Sequence, residues 1–546
     1  MLLDDTIAII PAAGRPQETW GGIRNASCDA MLPIAGKPAI FWTLQDLLSI
    51  GIRRVAIVVR QRGNDLEQFV SLLFGDQLEL RFVQPDRQLG VGYSVDLGAR
   101  QFADSPPLLV VLGDTIAQLG EQCDPFTRNT VLVAEVPDYA RWCLATVTGD
   151  QVTALHNKPS QPVGTSLALT GVYFFAAGRA TFAEIVEVES NKGRQLEMSD
   201  LLAPLVAAGT LHVNRGMPWL DVGNPDHVYE AQTRLIQSRS FNRLHVDHVR
   251  GTITKRSSYE QKFYDEINYY QLLPERLRIY FPRVVSSCNL PNRLELTMEF
   301  YAYPSLADLY LFADLSPVLW HRVLLQLREI CRDFTADDYG SATEMAMDIY
   351  LEKNLSRLAQ FLAAPPPAAA ALATARNPKI NGRPVPSLAS AARRSEAALS
   401  RLAASARLTP LHGDLCFSNI LCEPARGLIK LIDPRGSFGR QGVLGDFRYD
   451  VAKLTHSVLG LYDYIVNDLF HVVVDASGAV ELRFPARSTE VQDRFAEVFF
   501  ADYRREEILL SAAWLFLSML PLHADSPTRQ IAMAARGMEL LADLGL

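Results

Sequence analysis

At 546 residues the chain is too long for one hydrophobic core, so two to four domains are expected. Apolar residues at 48% and charged residues at 21% leave no large disordered fraction, and a formal net charge of −8 argues against a partner gripped by its phosphate backbone, so no nucleic acid is expected. Seven scattered cysteines, an odd number without a CxxC pair, argue against a disulfide framework, and the two acids in MLLDDTIAIIPAAG argue against a secretory leader, which makes the expected location cytoplasmic.

Along the first half, β-branched runs alternate with amphipathic stretches. Ile7–Ile10, Val55–Val59, Leu108–Leu112 and Val131–Val136 read as buried parallel strands bounded by Gly, Pro or Asp. Helical patterns over Ala39–Ile50 and Gly92–Gln101 lie between them, which implies an α/β domain on a parallel sheet. The polar run from Arg234 to Asn242 (RLIQSRSFN) reads as a linker. A small mixed section follows to about Ala302, then a largely helical region to the end. Residues 362–376 are low-complexity Ala/Pro and read as a loop or insertion. Leu509–Leu522 (LLSAAWLFLSMLPL) is too short to span a bilayer and reads as a core helix, so no membrane insertion is expected.

Six segments occur in order in the first half: IIPAAGR (9–15), MLPIAGKPAI (31–40), QPDRQLGVGYSVDLGA (84–99), VVLGDT (110–115), NKP (157–159) and WLDVGNPDHVYEA (219–231). A small-residue turn after the first strand lets backbone N–H groups approach a nucleotide. Together the segments resemble the sugar-1-phosphate nucleotidyltransferase family, which has a Rossmann-like sheet and makes NDP-sugars or CDP-alcohols. The resemblance implies that Gly14 and Arg15 lie at the nucleotide, that Gly90 and Gly92 allow close approach to the base, that Lys158 binds the acceptor's phosphate, and that Asp114 and Asp221 hold catalytic Mg²⁺. One feature departs from the family: Asp29-Ala30 stands where a Lys-Pro is usual, an acid where a cation stabilises the triphosphate, with Arg15 and Arg24 as candidate substitutes.

The second half carries LHGDLCFSNIL (411–421), LIKLIDPRG (428–436) and GDFRYDVAKL (445–454). Phosphoryl transfer needs a positioned hydroxyl and metal-held ATP phosphates and little else. Asp414 stands as the base that accepts the hydroxyl proton; Asn419, five residues on, and Asp433, at the end of an apolar run, stand as Mg²⁺ ligands. Upstream, residues 252–274 read as a strand and a helix, with Lys255 on the strand to meet the α/β-phosphates and Glu266 on the helix to hold it. The whole resembles the choline kinase and aminoglycoside phosphotransferase superfamily. That resemblance implies a protein-kinase-like α+β domain with a small N-lobe and a helical C-lobe, in which Glu299 and Phe300 form the adenine hinge, Asp450 anchors the catalytic loop and His412 braces it. No Gly-rich loop precedes Lys255.

The domains expected are therefore 1–238 (nucleotidyltransferase-like), 239–302 (kinase N-lobe) and 303–546 (kinase C-lobe). The function expected is phosphorylation of a sugar, polyol or amino alcohol by ATP, then activation of the product with a second nucleoside triphosphate for surface-glycan assembly. A small-molecule kinase carrying a non-catalytic nucleotide- or sugar-binding module is the alternative. Tyr462, Asp463 and Tyr464 could supply an aromatic and acidic box for a cationic acceptor, though a sugar or polyol is preferred. The oligomeric state, a homo-oligomer included, stays open.

Overall fold

The apolar runs of the first half become strands: β1 (Ile7–Ala12), β2 (Arg54–Val59), β3 (Glu79–Val83), β4 (Leu108–Val111), β5 (Thr115–Ala117), β6 (Thr130–Glu135), β7 (Cys143–Thr148), β8 (Gln151–Asn157), β9 (Leu167–Phe175), β10 (His212–Arg215) and β11 (Trp219–Asp221). The structure, a computed structural model, describes every residue except 1, 2, 4, 15–27, 62, 103–105, 120–125, 217, 218, 224, 238–241, 258, 259, 291, 292, 314 and 486–488. It divides into two compact units, Met1–Leu235 with Phe312–Asp314, and Ile236–Leu311 with Leu315–Leu546.

In the first unit nine strands form one sheet in the order β3-β2-β1-β4-β9-β6-β10-β8-β7. One edge is parallel, with β1 against β2 and β4, as the helices α1 (Ala39–Ser49), α2 (Asp65–Phe74) and α3 (Val91–Ala99) between its strands require. The sheet as a whole is mixed, which corrects the expectation of a parallel sheet. β9 runs antiparallel to both β4 and β6 and sits between them. It is reached from β8 without an intervening helix, so nothing carries the chain back for a parallel return. Its nearly continuous burial explains why the run LALTGVYFF cannot be told from a parallel strand by periodicity. Ile7, Ile9, Val110, Val131, Tyr173 and Phe175 pack with Tyr93, Val95 and Leu201 in one core, leaving the strand ends to carry polar groups.

The helix α4 (Pro225–Gln237) runs on through Arg234, so the first part of the expected linker is helical. In the second unit β12 (Asn242–Asp247), β13 (Thr252–Ser257), β14 (Val284–Leu290) and β15 (Arg293–Glu299) form an antiparallel sheet ordered β12-β13-β15-β14. The helix α5 (Glu260–Leu272) follows β13. The rest is largely helical, and α6 (Lys353–Ala363), a hairpin of β16 (Ile420–Glu423) and β17 (Leu428–Leu431), α7 (Arg448–Val458) and α8 (Arg505–Met519) bear on function. The low-complexity stretch 362–376 holds the end of α6 and a short helix, Ala370–Thr374, whose alanines have high helix propensity. Every residue of α8 from Ile508 to Ser518 is buried. Among the described residues no helix is long and apolar enough to cross a membrane.

Candidate active sites

In the first unit a short antiparallel ladder pairs β11 with β5 and sets Asp221 opposite Thr115, the residue after Asp114. A backbone bond from Val222 N–H to the Asp114 carbonyl (2.9 Å) closes the pair. The two carboxylates converge on Gly223: a Cβ there would stand 2.9 Å from Asp114 Oδ2 and 3.3 Å from Asp221 Oδ1, a space that only glycine leaves open. Burial, then the nearby charges of Asp221 and Asp29, push the Asp114 carboxyl up to about 6. Asp221 is oriented by the Gly223 amide at 3.0 Å and by His227 Nδ1 at 2.8 Å. Hard carboxylate oxygens crowded in this way fit a divalent cation, which would relieve their repulsion. Among the described residues no group of three or more His, Cys, Asp or Glu side chains stands placed to hold a metal ion.

Lys158 is exposed, adopts φ 46°, and donates its backbone N–H to the Trp142 carbonyl at 2.9 Å. The Trp142 ring stacks on His227 (6.1 Å, 9°) and meets Trp219 edge-on (5.1 Å), so an aromatic chain links the Lys158 turn to Asp221. Gly90 and Gly92 have a physical reason other than room for a base. At φ 88°, a Cβ on Gly90 would lie 2.4 Å from the Leu196 carbonyl oxygen, and Gly92 donates its N–H to that oxygen at 2.9 Å. Their small size lets the segment 196–197 cross closely. Among the described residues a Cβ on Gly14 would meet nothing within 4 Å. Arg15 and Arg24 lie outside the described residues.

In the second unit Lys255 on β13 reaches Glu266 on α5 with two bonds, 3.0 and 2.7 Å, and Asp433 with a third, 2.9 Å. Burial works against its charge, but the carboxylates of Asp433 and Glu266 outweigh it and keep the ammonium protonated. Asp433 follows β17 in a left-handed conformation, φ 54°, that side chains seldom adopt, and its carboxylate stays half exposed. These residues line a cavity of about 880 Å³ together with Asp414 and Asn419.

The loop holding Asp414 is fixed from behind. Asp450, at the start of α7, accepts the His412 and Gly413 amides at 2.6 and 2.9 Å. His412 donates Nε2–H to the Ile432 carbonyl (3.0 Å) and accepts the Asp414 amide at Nδ1 (3.3 Å), which ties the loop to the strand leading to Asp433. Burial holds His412 neutral, down at about 4. Asn419 donates to the Asp414 carbonyl (2.9 Å) and to its Oδ2 (3.3 Å). Burial pushes Asp414 up, but the Lys453 ammonium at 2.8 Å, with His412 and Arg435, overrides it and holds the carboxyl at about 2. Lys453, absent from the expected site, lies in the GDFRYDVAKL segment three residues beyond Asp450, one helical turn along α7.

Glu299 stands apart from this cluster. It pairs with Arg283 at 3.0 Å and lines a second cavity, of about 570 Å³, with Tyr270, Phe281 and Lys430. The amides of Glu299 and Phe300 bond to the Arg283 and Gly251 carbonyls (3.0 and 2.9 Å), so neither N–H is available to an adenine. Nor does the aromatic and acidic box assemble: Tyr462 lines the large cavity, whereas Asp463 is buried and Tyr464 packs edge-on against Tyr310 and Phe484.

Residues 23–238 match the family model described as nucleotidyl transferase. The chain is 27% identical over 238 residues to the low-salt glycan biosynthesis nucleotidyltransferase Agl11 of Haloferax volcanii, a match covering 41% of this chain and 63% of that protein, less than two thirds of its length. It is 28% identical over 254 residues to a glucose-1-phosphate thymidylyltransferase of Neisseria gonorrhoeae (44% of this chain, 85% of that one). It is 30% identical over 217 residues to a glucose-1-phosphate thymidylyltransferase of Xanthomonas campestris pv. campestris (37% and 71%). With a nucleotidyltransferase-type α/β fold around Asp114 and Asp221, the chain belongs, through its N-terminal half, to the nucleotidyl transferase family.

Proposed function

We propose that this chain is a two-step enzyme with domains 1–238, 239–302 and 303–546: the C-terminal part phosphorylates a sugar or polyol hydroxyl with ATP, and the N-terminal part activates that phosphate with a second nucleoside triphosphate for glycan assembly. In the first step the acceptor oxygen forms a bond to the γ-phosphorus, the bond to ADP breaks, and Asp414 takes the proton. A carboxylate held as low as Asp414 is a weak base, which suits a loose transition state in which the hydroxyl loses its proton late. Lys255, braced by Glu266, meets the α/β-phosphates, and Asp433 with Asn419 would hold Mg²⁺, which neutralises phosphate charge when bound. In the second step a phosphate oxygen of the product attacks the α-phosphorus and pyrophosphate leaves. Asp114 and Asp221 would hold the cation there, and Lys158 meets the acceptor's phosphate.

The observation that carries the kinase half is Lys255 bridging Glu266 and Asp433 on the rim of a cavity that also holds Asp414 and Asn419. Family membership carries the transferase half. The second reading, a kinase with a binding module, is favoured by one observation: Asp29 adds negative charge at Asp114 where a cation would serve the triphosphate. Incubation with ATP, each other triphosphate and a sugar and alcohol panel, with products identified by mass, separates the readings. An activated sugar whose formation stops in Asp414→Asn when starting from free sugar, but not when starting from sugar phosphate, supports the two-step enzyme. A sugar phosphate that no triphosphate converts further overturns the transferase step.

A further inference from the structure

Four cations surround one buried tyrosine on the Asp414 side of the large cavity. The Tyr449 ring lies 5.2 Å from Lys353 Nζ and 6.0 Å from Lys453 Nζ, and its hydroxyl accepts from Arg435 Nη1 at 3.4 Å. Arg357 stands one turn along α6 from Lys353, on the same face. Of the four, Lys453 alone pairs directly with a carboxylate, Asp414; among the described residues Lys353, Arg357 and Arg435 form no salt bridge, and Arg435 acts on Asp414 only from further off. A like-charged pair at this helical spacing is unfavourable by itself, and a third guanidinium opposite makes it more so. Immediately before Lys353 the chain forms a π-helical stretch, Met347–Glu352, a rare irregularity that often accompanies function. The field leaves a mark on Tyr449: burial would push its hydroxyl up, yet Lys353, Lys453 and Arg435 hold it down at about 8.

The nucleotide side of the cavity has its own charges. Lys255 takes its partners from Glu266 and Asp433, on α5 and after β17. The carboxylates lining the cavity are Asp265, Glu266, Asp414 and Asp433, so the acceptor side presents Asp414 alone to Arg357, Arg435 and Lys453. A cationic amino alcohol would face this array with no acidic box to receive it, since Asp463 and Tyr464 turn into the core. Resting on the kinase reading of this unit, we propose that the acceptor is an anionic alcohol, a sugar or polyol carrying a carboxylate or a phosphate, whose charge is received by Arg357 and Arg435 with Lys353 behind Tyr449.

The test measures ATP-dependent phosphorylation by the full chain across matched acceptors: neutral hexoses and polyols, their uronic or lactyl-ether acids, their phosphate monoesters, and choline with amino sugars. One anionic arm is expected to exceed its neutral parent at least tenfold in kcat/KM, and which arm does so tells carboxylate from phosphate. Arg357→Gln should raise KM for that anion at least tenfold with KM for ATP unchanged, and Arg357→Lys should restore part of the loss. Neutral or cationic acceptors used as well as the anions would overturn the inference while leaving the kinase intact. A rise in KM for ATP in Arg357→Gln would also overturn it, by assigning the arginine to the nucleotide. No transfer to any acceptor would sink the kinase reading itself and the inference with it.

Discussion

The two carboxylate centres of this chain are in opposite electrostatic states. Asp114 lies against Asp221 and within reach of Asp29, and its carboxyl is pushed up to about 6. Asp414, its side chain partly exposed, is held at about 2 because Lys453 sits at 2.8 Å. Glu266 shares Lys255 with Asp433, yet burial still pushes the Glu266 carboxyl up to about 7. Among the described residues no lysine or arginine pairs with Asp114, whereas the second centre sets Lys453 on Asp414 and Lys255 on Asp433. Burial penalises a charge wherever it lies, so the balance between burial and the neighbouring charge decides whether a carboxylate is available at neutral pH.

That contrast breaks most sharply by removing one carboxylate at a time. Asp414→Asn should lower kcat/KM for phosphoryl transfer at least about a thousandfold, since it leaves Lys453 facing a neutral amide and the hydroxyl without a base. Steady-state assay of ADP formation checks it; retention of a tenth of wild-type activity would correspond to only about 1.4 kcal/mol of lost transition-state stabilisation, too little for the assigned role. Asp114→Ala and Asp221→Ala should each cut pyrophosphate release from a supplied sugar phosphate at least about a hundredfold and leave ADP formation in the same preparation unchanged. Loss of both activities in either variant would mean that the two centres are coupled.

A subtler break uses pH. The Asp114 carboxyl has a folded pKa of about 6 against an ordinary 3.8, so the native state holds that proton more tightly than the unfolded chain does. Its contribution to stability is therefore full below about 4 and is lost as pH rises towards 6. The full shift is worth roughly 3 kcal/mol in cation-free protein. Asp114→Asn should remove this loss and raise the melting temperature at pH 7 by a few degrees without added metal. Added Mg²⁺ should stabilise the wild type more than the variant, and less below pH 6. Equal stabilisation of both by Mg²⁺ would place the cation elsewhere.

How much of this could be read beforehand follows from how each residue is held. Lys255, Glu266, Asp414 and Asp433 sit in local segments that the fold brings to one cavity, so their juxtaposition is legible from their order along the chain. Lys453 gives no such signal, because a lysine in a helix is usually a solvated charge and its partner lies 39 positions away in sequence. Lys353 and Arg357 carry a faint signal, two like charges one turn apart, that gains meaning only when tertiary packing turns them towards Arg435. The mixed sheet was illegible for a different reason: strand direction depends on the connection, and the run forming β9 has no pattern that distinguishes antiparallel from parallel burial. For Gly90 and Gly92 the sequence points to close approach to a base, and the structure sets the Leu196 carbonyl against both glycines.

The smallest expected effect tests a charge that adds to the contrast between the two centres. Asp29 begins a short 3₁₀ turn, Asp29–Met31, and its charge adds to the burial and to the Asp221 charge that raise Asp114. Replacing it in Asp29→Lys removes a like charge and supplies an opposite one, the arrangement that the second centre already has at Asp414. The acid limb of pyrophosphate release should then move down by a few tenths to one pH unit, the scale of a single charge acting through partly solvated protein. At saturating triphosphate the rate should rise a few-fold at most, because the cation held by Asp114 and Asp221 already does most of the neutralising. Rate against pH at fixed, saturating Mg²⁺ separates the two effects. A shifted limb with an unchanged plateau would mean that Asp29 acts only through Asp114. A collapse of the plateau without a shift would mean that the carboxylate of Asp29 is itself required in the reaction, and the contrast between the two centres would then be one of chemistry as well as of charge.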